Sequence, residues 1–286
     1  GILDIGIGRL PVSDTNQARV MINKIKTYIS PESVGPWRNI ITMVADDEDN
    51  NIHMNDADNL SDIIKNQRPS FNIEKIYLDS YEQETSVNGD SYPEATRAIN
   101  ERVNNGCLIV NYAGHGNELG LAHERVVNSE TINSWINKKK YPVFITATCE
   151  FSRFEDIDID PGSGDITQKS SAGELVLLNP GGGAIALLTT TRIVYASHNY
   201  NLASNLYKNA FKTGEDGKGL TLGDIMRIAK INTGGSNKRN FTLLGDPALR
   251  LAYPWHGSVI TDSINNKPVS VLNDTLKALS ELNIKG

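Results

Sequence analysis

Alternation between apolar, β-rich runs and helical segments is the feature that most constrains the fold of this chain. The runs are rich in Ile, Val, Leu and aromatic residues, and they read as continuous apolar stretches rather than alternating ones. They cover Ile40–Val44, Ile73–Leu78, Cys107–Tyr112, Val143–Thr148 and Ala184–Thr190. Continuous apolar strands are typical of parallel sheets that are covered on both faces. The alternation therefore predicts an α/β fold with a mostly parallel central sheet between helices.

Helical periodicity fills the gaps between these runs. Asp14 is expected to cap a first helix, and Ser129 is expected to cap another. Pro93 suits the first turn of a further helix, which Gly106 should end. The other helical segments place their apolar residues at Leu60, Ile63 and Ile64, at Ile132, Trp135 and Ile136, and over Asn199–Phe211 and Leu222–Ile231.

The regular pattern ends near the segment Phe241–Leu251. After Pro254 the sequence no longer alternates between apolar runs and helical segments. We expect one large domain over residues 1–253, followed at 254–286 by a linker and the start of another module. The first residues lack an initiator Met and a signal-peptide pattern, which predicts a processed or excised fragment.

Composition excludes several classes of function. The formal net charge of -6, without clustered Lys and Arg, argues against a nucleic-acid partner. The chain has no apolar run long enough to span a bilayer, so we expect a soluble fragment. Two cysteines are too few for a disulfide-stapled scaffold.

Potentially reactive side chains follow two of the predicted strands. His115 lies between Gly114 and Gly116 after one strand, and Cys149 comes 34 residues later, after another. Ligands of open parallel sheets bind at the carboxyl ends of the strands, so both side chains are expected at one edge. A Cys and a His at such an edge suit covalent catalysis, with the N–H groups of Gly116 and Cys149 as oxyanion donors.

Each residue also has a simpler structural interpretation. A lone Cys at a strand end is more often a small buried hydrophobe, and Gly-His-Gly is ordinary turn chemistry. The chain turns polar directly after Cys149, which favours exposure, whereas Cys107 opens an apolar run and should be structural. The joint occurrence of both motifs at strand ends favours an enzyme over either simpler interpretation.

Acidic residues follow the first strand as the run Asp46-Asp47-Glu48-Asp49. Most of them are expected to be solvated, while one orients the His115 imidazole as the third member of a triad. Calcium coordination is an open alternative here, since hard cations need several carboxylates. The acidic loop Asp156–Asp165 departs from an EF-hand at Pro161 and leaves only irregular calcium binding open.

Several segments together resemble the gingipain-type cysteine peptidases of the caspase-like clan. They are N-Y-A-G-H-G, A-T-C, Ser171–Glu174, Asn179–Arg192 and Leu243–Leu251. The resemblance implies a caspase-like three-layer α/β/α fold, with Cys149 as the nucleophile and His115 as its partner. It also implies that the triad acid lies within Asp46–Glu48, with Glu48 the nearest by spacing and Asp47 or Asp46 as alternatives. The family implies calcium, without ligands that can be assigned, and no required cofactor.

The tail segments S-I-N-N-K-P and D-T-L-K-A-L-S are similar to the C-terminal signal peptidases of the type IX secretion system. This finer resemblance implies cargo proteins with C-terminal signal domains, other secretion components and anionic lipopolysaccharide as partners. It implies a place on the cell surface, at the bacterial outer membrane. The alternatives are a catalytically silent binding module of that machinery and a hydrolase of small acyl or amide substrates.

Overall fold

The structure is a computed structural model that describes residues 3–87, 89–159, 162, 164, 166–254, 261–271, 275 and 279–285. The chain forms two compact units, Gly1–Tyr253 and Pro254–Gly286. Among the described residues, none of the helices combines the length and apolar character needed to cross a membrane.

A six-stranded sheet forms the centre of the first unit. Its strands are β1 (Ile40–Ala45), β2 (Asn72–Tyr77), β3 (Ile109–Ala113), β4 (Val143–Ala147), β5 (Ala186–Thr190) and β6 (Phe241–Leu244). Their spatial order is β6-β5-β4-β3-β1-β2. All neighbours are parallel except β5 and β6, so the predicted mostly parallel sheet is confirmed.

Seven α-helices accompany this sheet in the described part of the chain. They are α1 (Thr15–Tyr28), α2 (Ile52–Gln67), α3 (Pro93–Asn105), α4 (Ser129–Ser134), α5 (Ala172–Leu178), α6 (Ala196–Ala210) and α7 (Leu222–Asn232). Short 3₁₀ turns cover Pro31–Ser33, Pro36–Asn39, Leu78–Ser80, Asn237–Asn240 and Val269–Val271.

Two hydrophobic clusters show that helices cover both faces of the sheet. Along β1, Ile41 and Met43 belong to a cluster with α2, α6 and α7, while Val44 belongs to one with α1, α3, α4 and α5. Successive strand residues point to opposite faces, so a strand buried on both sides must be apolar throughout. This is the three-layer α/β/α arrangement that the apolar runs predicted.

Local chemistry explains where the helices begin and end. The Asp14 carboxylate accepts hydrogen bonds from the N–H groups of Asn16 and Gln17, which satisfies free donors at the start of α1. Ser171 and Glu174 form a capping box at the start of α5. Gly106 ends α3 with a φ of 91°, in the left-handed region that favours glycine.

The segment before β4 differs from expectation. Asn128, rather than Ser129, caps α4, and the helix ends before Trp135 and Ile136. The Asn128 side chain bonds the N–H groups of residues 130 and 131 as half of a capping box, which places the first helical residue at Ser129. Trp135 is nevertheless fully buried, while Ile136 is exposed.

The connections between the main elements of the first unit contain short strands. A three-stranded antiparallel sheet follows β3 and consists of Gly116–Asn117, Gly120–Leu121 and Val127–Asn128. Two hairpins pair Glu84–Ser86 with Gly89–Ser91, and Ile157–Ile159 with Ile166–Gln168. The second hairpin occupies much of the acidic loop, of which Asp160, Pro161, Ser163 and Asp165 lie outside the described residues.

The second unit contains a small antiparallel sheet of its own. Its strands are Ser263–Ile264, Lys267–Pro268 and Ile284–Lys285. Asn265 and Asn266 connect the first two strands with φ values of 50° and 64°. Two consecutive positive φ angles are what a type I′ hairpin turn requires, and Asn tolerates them well.

Candidate active site

The register between β3 and β4 brings the two candidate catalytic residues to the same level of the sheet. Ala113 pairs with Ala147 at the carboxyl ends of these parallel strands. His115 and Cys149 each lie two residues beyond this pair. Neighbouring strands are about 4.8 Å apart, so both residues emerge at one edge from adjacent positions.

The acidic run emerges beside them from β1, on the other side of β3. Ala45 pairs with Ala113, and the Asp46 N–H donates to Ala113 O at 3.0 Å. The three strands β1, β3 and β4 are consecutive in the sheet. The sheet therefore orders the acids, the His and the Cys side by side, with the His between the other two.

A turn with left-handed backbone follows the acidic strand end. Asp49, Asn50 and Asn51 have φ values of 59°, 54° and 66°. Asp and Asn adopt this region more readily than other non-glycine residues, because their short side chains bond locally. The turn carries the chain from β1 into α2 and returns the Asp49 carboxylate towards His115.

Two carboxylates lie at the His115 ring. His115 Nε2 is 3.0 Å from Asp49 Oδ2 and 3.4 Å from Glu48 Oε2. Glu48, the acid nearest by spacing in the sequence, is thus within ion-pair distance, while Asp49 makes the closer contact. The role of either acid in a triad stays a prediction.

The other two acids hold neighbouring groups rather than the ring. Asp46 is 1% exposed, and its Oδ2 accepts the His115 backbone N–H at 2.8 Å. Tyr112 donates its hydroxyl to His115 O at 2.6 Å. Burial raises the pKa of Asp46 to about 6, although the His115 N–H opposes this shift. Asp47 accepts the Tyr92 hydroxyl at 2.7 Å. These bonds orient the backbone of His115.

The Cys149 thiol is half-buried and donates to Val194 O at 3.4 Å. Glu150, directly after it, has a φ of 51°, which is an unfavourable conformation for a residue with a Cβ. The strained residue turns the chain away as soon as Cys149 has been placed at the edge. Cys107 is fully buried, and burial raises the pKa of its thiol to about 12, as expected for a structural cysteine.

Gly116 lies against the residue that precedes Cys149. A methyl group on Gly116 would come within 2.6 Å of Thr148 Oγ1, so only glycine fits this approach. The Ala122 N–H donates to His115 O at 2.9 Å, which makes Gly116 and Leu121 a non-hydrogen-bonded pair. The Gly116 N–H therefore points away from the strand of Leu121.

Three further side chains at this site do not directly follow a strand of the central sheet, and the sequence patterns did not single them out. His53 comes from the first turn of α2, and its ring meets the His115 ring edge-on with centroids 5.3 Å apart. His123 stacks on His115 at 5.0 Å, and Glu124 follows it in the chain. His53 follows the acidic run, and His123 and Glu124 follow the Gly-His-Gly motif, so the signal in the sequence was a polar residue near each of these segments.

Three groups of these side chains have ligand atoms close enough to hold a cation. They are Asp46, His53 and His115; Glu48, His115 and His123; and Asp46, Asp47 and Glu124. The last group offers only carboxylates, and Asp47 Oδ1 and Glu124 Oε2 are buried without a hydrogen-bond partner among the residues that the structure describes. Such a donor set suits a hard cation, and calcium stays a prediction.

A family model for peptidase family C25 matches residues 1–252. The chain belongs to peptidase family C25. The gingipain-type cysteine peptidases belong to the same group, so the resemblance in the motifs around His115 and Cys149 is confirmed at the level of the family. A comparison with curated protein sequences found no match.

Solved structures show the same fold as this C25 chain. Gingipain R (RgpB), an Arg-specific cysteine proteinase, is 15% identical with a TM-score of 0.67, over 86% of this chain and 55% of its own. The complex of the Porphyromonas gingivalis RgpB pro- and mature domains is 13% identical with a TM-score of 0.67, over 91% and 59%. The Saccharomyces cerevisiae separase–securin complex is 12% identical with a TM-score of 0.52, over 85% and 14%.

These solved structures share the fold of the C25 chain. All of them are at most 15% identical to it, so the likeness shows the fold alone. The predicted caspase-like α/β/α architecture is thereby confirmed. The chain spans a little over half the length of the gingipain structures that it matches.

Proposed function

We propose that this chain is the catalytic module of a cysteine peptidase in which Cys149 and His115 form the catalytic pair. The observation that carries this proposal is the pairing of Ala113 with Ala147, since each catalytic residue lies two positions beyond one member of that pair. Membership of peptidase family C25 supports the same chemistry.

The first step is proton transfer from the Cys149 thiol to His115. The thiol now donates to Val194 O, so its Sγ must turn towards the imidazole. Because Asp49 and Glu48 lie at Nε2, we assign the proton transfer to Nδ1 of His115. The acids stabilise the imidazolium that forms, and the resulting thiolate is the nucleophile.

The thiolate then attacks the carbonyl carbon of the scissile peptide bond, and the carbonyl oxygen becomes an oxyanion. The N–H groups of Gly116 and Cys149 are the proposed donors to this oxyanion, and one such donor is typically worth about 3 kcal/mol in acyl transfer. His115 gives its proton to the departing amine as the C–N bond breaks. Water or another amine, deprotonated by His115, resolves the thioester and regenerates the thiol.

The finer proposal is a C-terminal signal peptidase similar to PorU of the type IX secretion system. Its substrates would be secreted proteins that carry C-terminal signal domains, and an amine of anionic lipopolysaccharide would serve as an acceptor in transpeptidation. The support is the resemblance of the segments S-I-N-N-K-P and D-T-L-K-A-L-S. The protein would then work at the cell surface, on the outer membrane, beside other secretion components.

One observation favours a second candidate, a catalytically silent binding module of the same machinery. The Cys149 thiol donates to a backbone carbonyl, which is a partner that cannot activate it as a nucleophile. The two candidates differ in the reactivity of Cys149, so a labelling experiment separates them.

The test is iodoacetamide labelling at neutral pH of the wild type, Cys149→Ala and Cys107→Ala. Cys107 is an internal control, because burial raises the pKa of its thiol to about 12. The peptidase proposal expects rapid labelling of the wild type and Cys107→Ala, and none of Cys149→Ala. Labelling confined to Cys107, or none in the folded wild type, contradicts it.

A cleavage assay tests the finer proposal. A cargo protein with its C-terminal signal domain is incubated with the wild type and with Cys149→Ala, and the products are identified by mass spectrometry. Cleavage at the signal-domain junction by the wild type alone supports it, and cleavage that survives Cys149→Ala refutes the thioester mechanism. Cleavage of unrelated peptides but not of this cargo supports the peptidase proposal and contradicts the proposed signal-domain substrate.

A further inference from the structure

Three of the five histidines of the chain meet at the candidate active site. Catalysis by a Cys–His pair needs only one of them. His53 and His123 both contact the His115 ring, with ring centroids 5.3 Å and 5.0 Å away. The proposed mechanism assigns no role to these two flanking rings.

Glu48 joins two of these rings through its two oxygens. Its Oε1 is 2.8 Å from His123 Nδ1, and its Oε2 is 3.4 Å from His115 Nε2. The ligand atoms of the three residues all lie within 4.8 Å of one another. Two ligands of a tetrahedral Zn²⁺ are separated by roughly 3.3–3.4 Å, given metal–ligand bonds of about 2.0–2.1 Å. The His115 and His123 rings are stacked at 17°, so they must turn out of this stack for both nitrogens to face one ion.

Access and charge also suit a cation from solution. The side chains of Glu48, His115 and His123 are 38%, 36% and 65% exposed. An ion can therefore arrive from solvent, and a water molecule can complete its coordination. The acidic run around Glu48 concentrates negative charge at this edge, which attracts divalent cations.

We propose that His115 Nε2, His123 Nδ1 and a Glu48 oxygen bind a divalent transition-metal ion of the Zn²⁺ type. Two imidazoles and one carboxylate form a donor set that suits such metals better than calcium. The alternative group with Asp46 and His53 is less suited, because Asp46 Oδ2 already accepts the His115 N–H.

The bound metal would inhibit the enzyme, a consequence that rests on the peptidase proposed above. A metal ion on Nε2 of a neutral imidazole leaves the ring proton on Nδ1. Nδ1 is the atom that we assign to accept the Cys149 proton, and it can no longer do so. Metal binding therefore stops formation of the thiolate, and removal of the metal restores it.

The binding test uses isothermal titration with Zn²⁺ and visible absorption with Co²⁺ on the whole chain. We expect one site in the wild type, a tetrahedral Co²⁺ spectrum and no thiolate-to-cobalt charge-transfer band. His123→Gln should weaken binding at least about tenfold, as loss of one ligand implies. His198→Gln on α6, outside the cluster, and Cys149→Ala should bind like the wild type.

Binding that is unchanged in His123→Gln, or lost in Cys149→Ala, overturns the site, as does absence of binding by the wild type. These outcomes require no enzymatic activity, so a failed peptidase proposal and a failed metal site are distinguishable. Where the chain does cleave a peptide, the inhibition by Zn²⁺ is expressed relative to the metal-free rate of each protein, and His123→Gln should lose at least about tenfold in sensitivity to Zn²⁺. Equal sensitivity of both proteins refutes the inhibitory role.

Discussion

Gly114 and Asp46 approach so closely that a methyl group on Gly114 would lie 2.4 Å from the Asp46 Cβ. No two such carbon atoms can coexist at that distance. The contact joins the loop that carries His115 to the acidic strand end, and it allows Asp46 to accept the His115 N–H. The residue before His115 must therefore lack a side chain for the site to assemble.

Gly114→Ala should consequently lower the free energy of unfolding by about 1–3 kcal/mol, the usual cost of forcing an extra carbon into a packed site. It should also reduce catalysis, since His115 moves with the loop. Urea unfolding measures the first effect and peptide cleavage the second. Gly234→Ala is the matched control, because a methyl group there meets no atom within 4 Å. Equal stability of the two variants would contradict the prediction.

Asp46→Ala should cost about 1–3 kcal/mol of unfolding free energy, because it leaves a buried N–H without its acceptor. The His115 N–H donates to Asp46 Oδ2 at 2.8 Å, whereas the Tyr112 hydroxyl keeps His115 O as its acceptor. Asp46→Asn retains an acceptor oxygen and should lose less. A larger loss in Asp46→Asn than in Asp46→Ala, measured by urea unfolding, would show that the carboxylate does not act as this acceptor.

Asp49→Asn is expected to reduce kcat/KM by at least about tenfold, because its carboxylate makes the closer contact with the ring nitrogen of His115. Glu48→Gln should reduce it less, given its longer separation of 3.4 Å. The measurement is kcat/KM for peptide cleavage by each variant, taken under one set of conditions at neutral pH. Asp62→Asn, an exposed acid on α2, is the control. The opposite ranking would identify Glu48 as the orienting acid.

Lys24 should make stability rise with pH above neutrality. It is 2% exposed, its Nζ donates to Leu177 O at 2.6 Å, and burial lowers its pKa to about 7. The unfolded chain, with a lysine pKa of about 10.4, therefore binds one proton more than the folded chain between pH 7 and 10. The contribution of Lys24 to the unfolding free energy rises there by up to about 1.4 kcal/mol per pH unit and is constant below pH 7.

The measurement compares denaturant unfolding of the wild type and Lys24→Met between pH 6 and 9.5. The wild type should gain stability relative to the variant as pH rises. Lys26→Met removes an exposed lysine from the same helix, and its unfolding free energy should change with pH as that of the wild type does. If the unfolding free energy of Lys24→Met also changed with pH as that of the wild type does, Lys24 would stay protonated in the folded chain.

The strands and the positions of His115 and Cys149 were predictable because they depend on local patterns. Continuous apolar runs mark strands buried on both faces, and polar residues mark the points where they end. The predicted helix starts at Asp14 and Pro93 agree with the structure for the same reason. These features need no knowledge of which strands are neighbours.

The rest of the site depends on contacts between distant segments. Asp49 reaches His115 only because β1 lies beside β3 and a left-handed turn reverses the chain. His123 arrives through the small antiparallel sheet after β3, which has strands too short to leave a periodic pattern. The predicted cap at Ser129 was wrong by one residue, and Asn128 caps the helix. Both residue types suit a cap, and only the hydrogen bonds decide between them.

Pairing of Ala113 with Ala147 also makes the proposed catalytic pair a late product of folding. The acids, the His and the Cys come from three strands that are far apart in the chain, and none of them approaches another until β1, β3 and β4 have paired. Contacts of such sequence separation form slowly, because long loops must close first. A refolding chain should therefore recover its helical signal well before the proposed reactivity of its Cys149 thiol, and a newly made chain would stay inert until its sheet is complete.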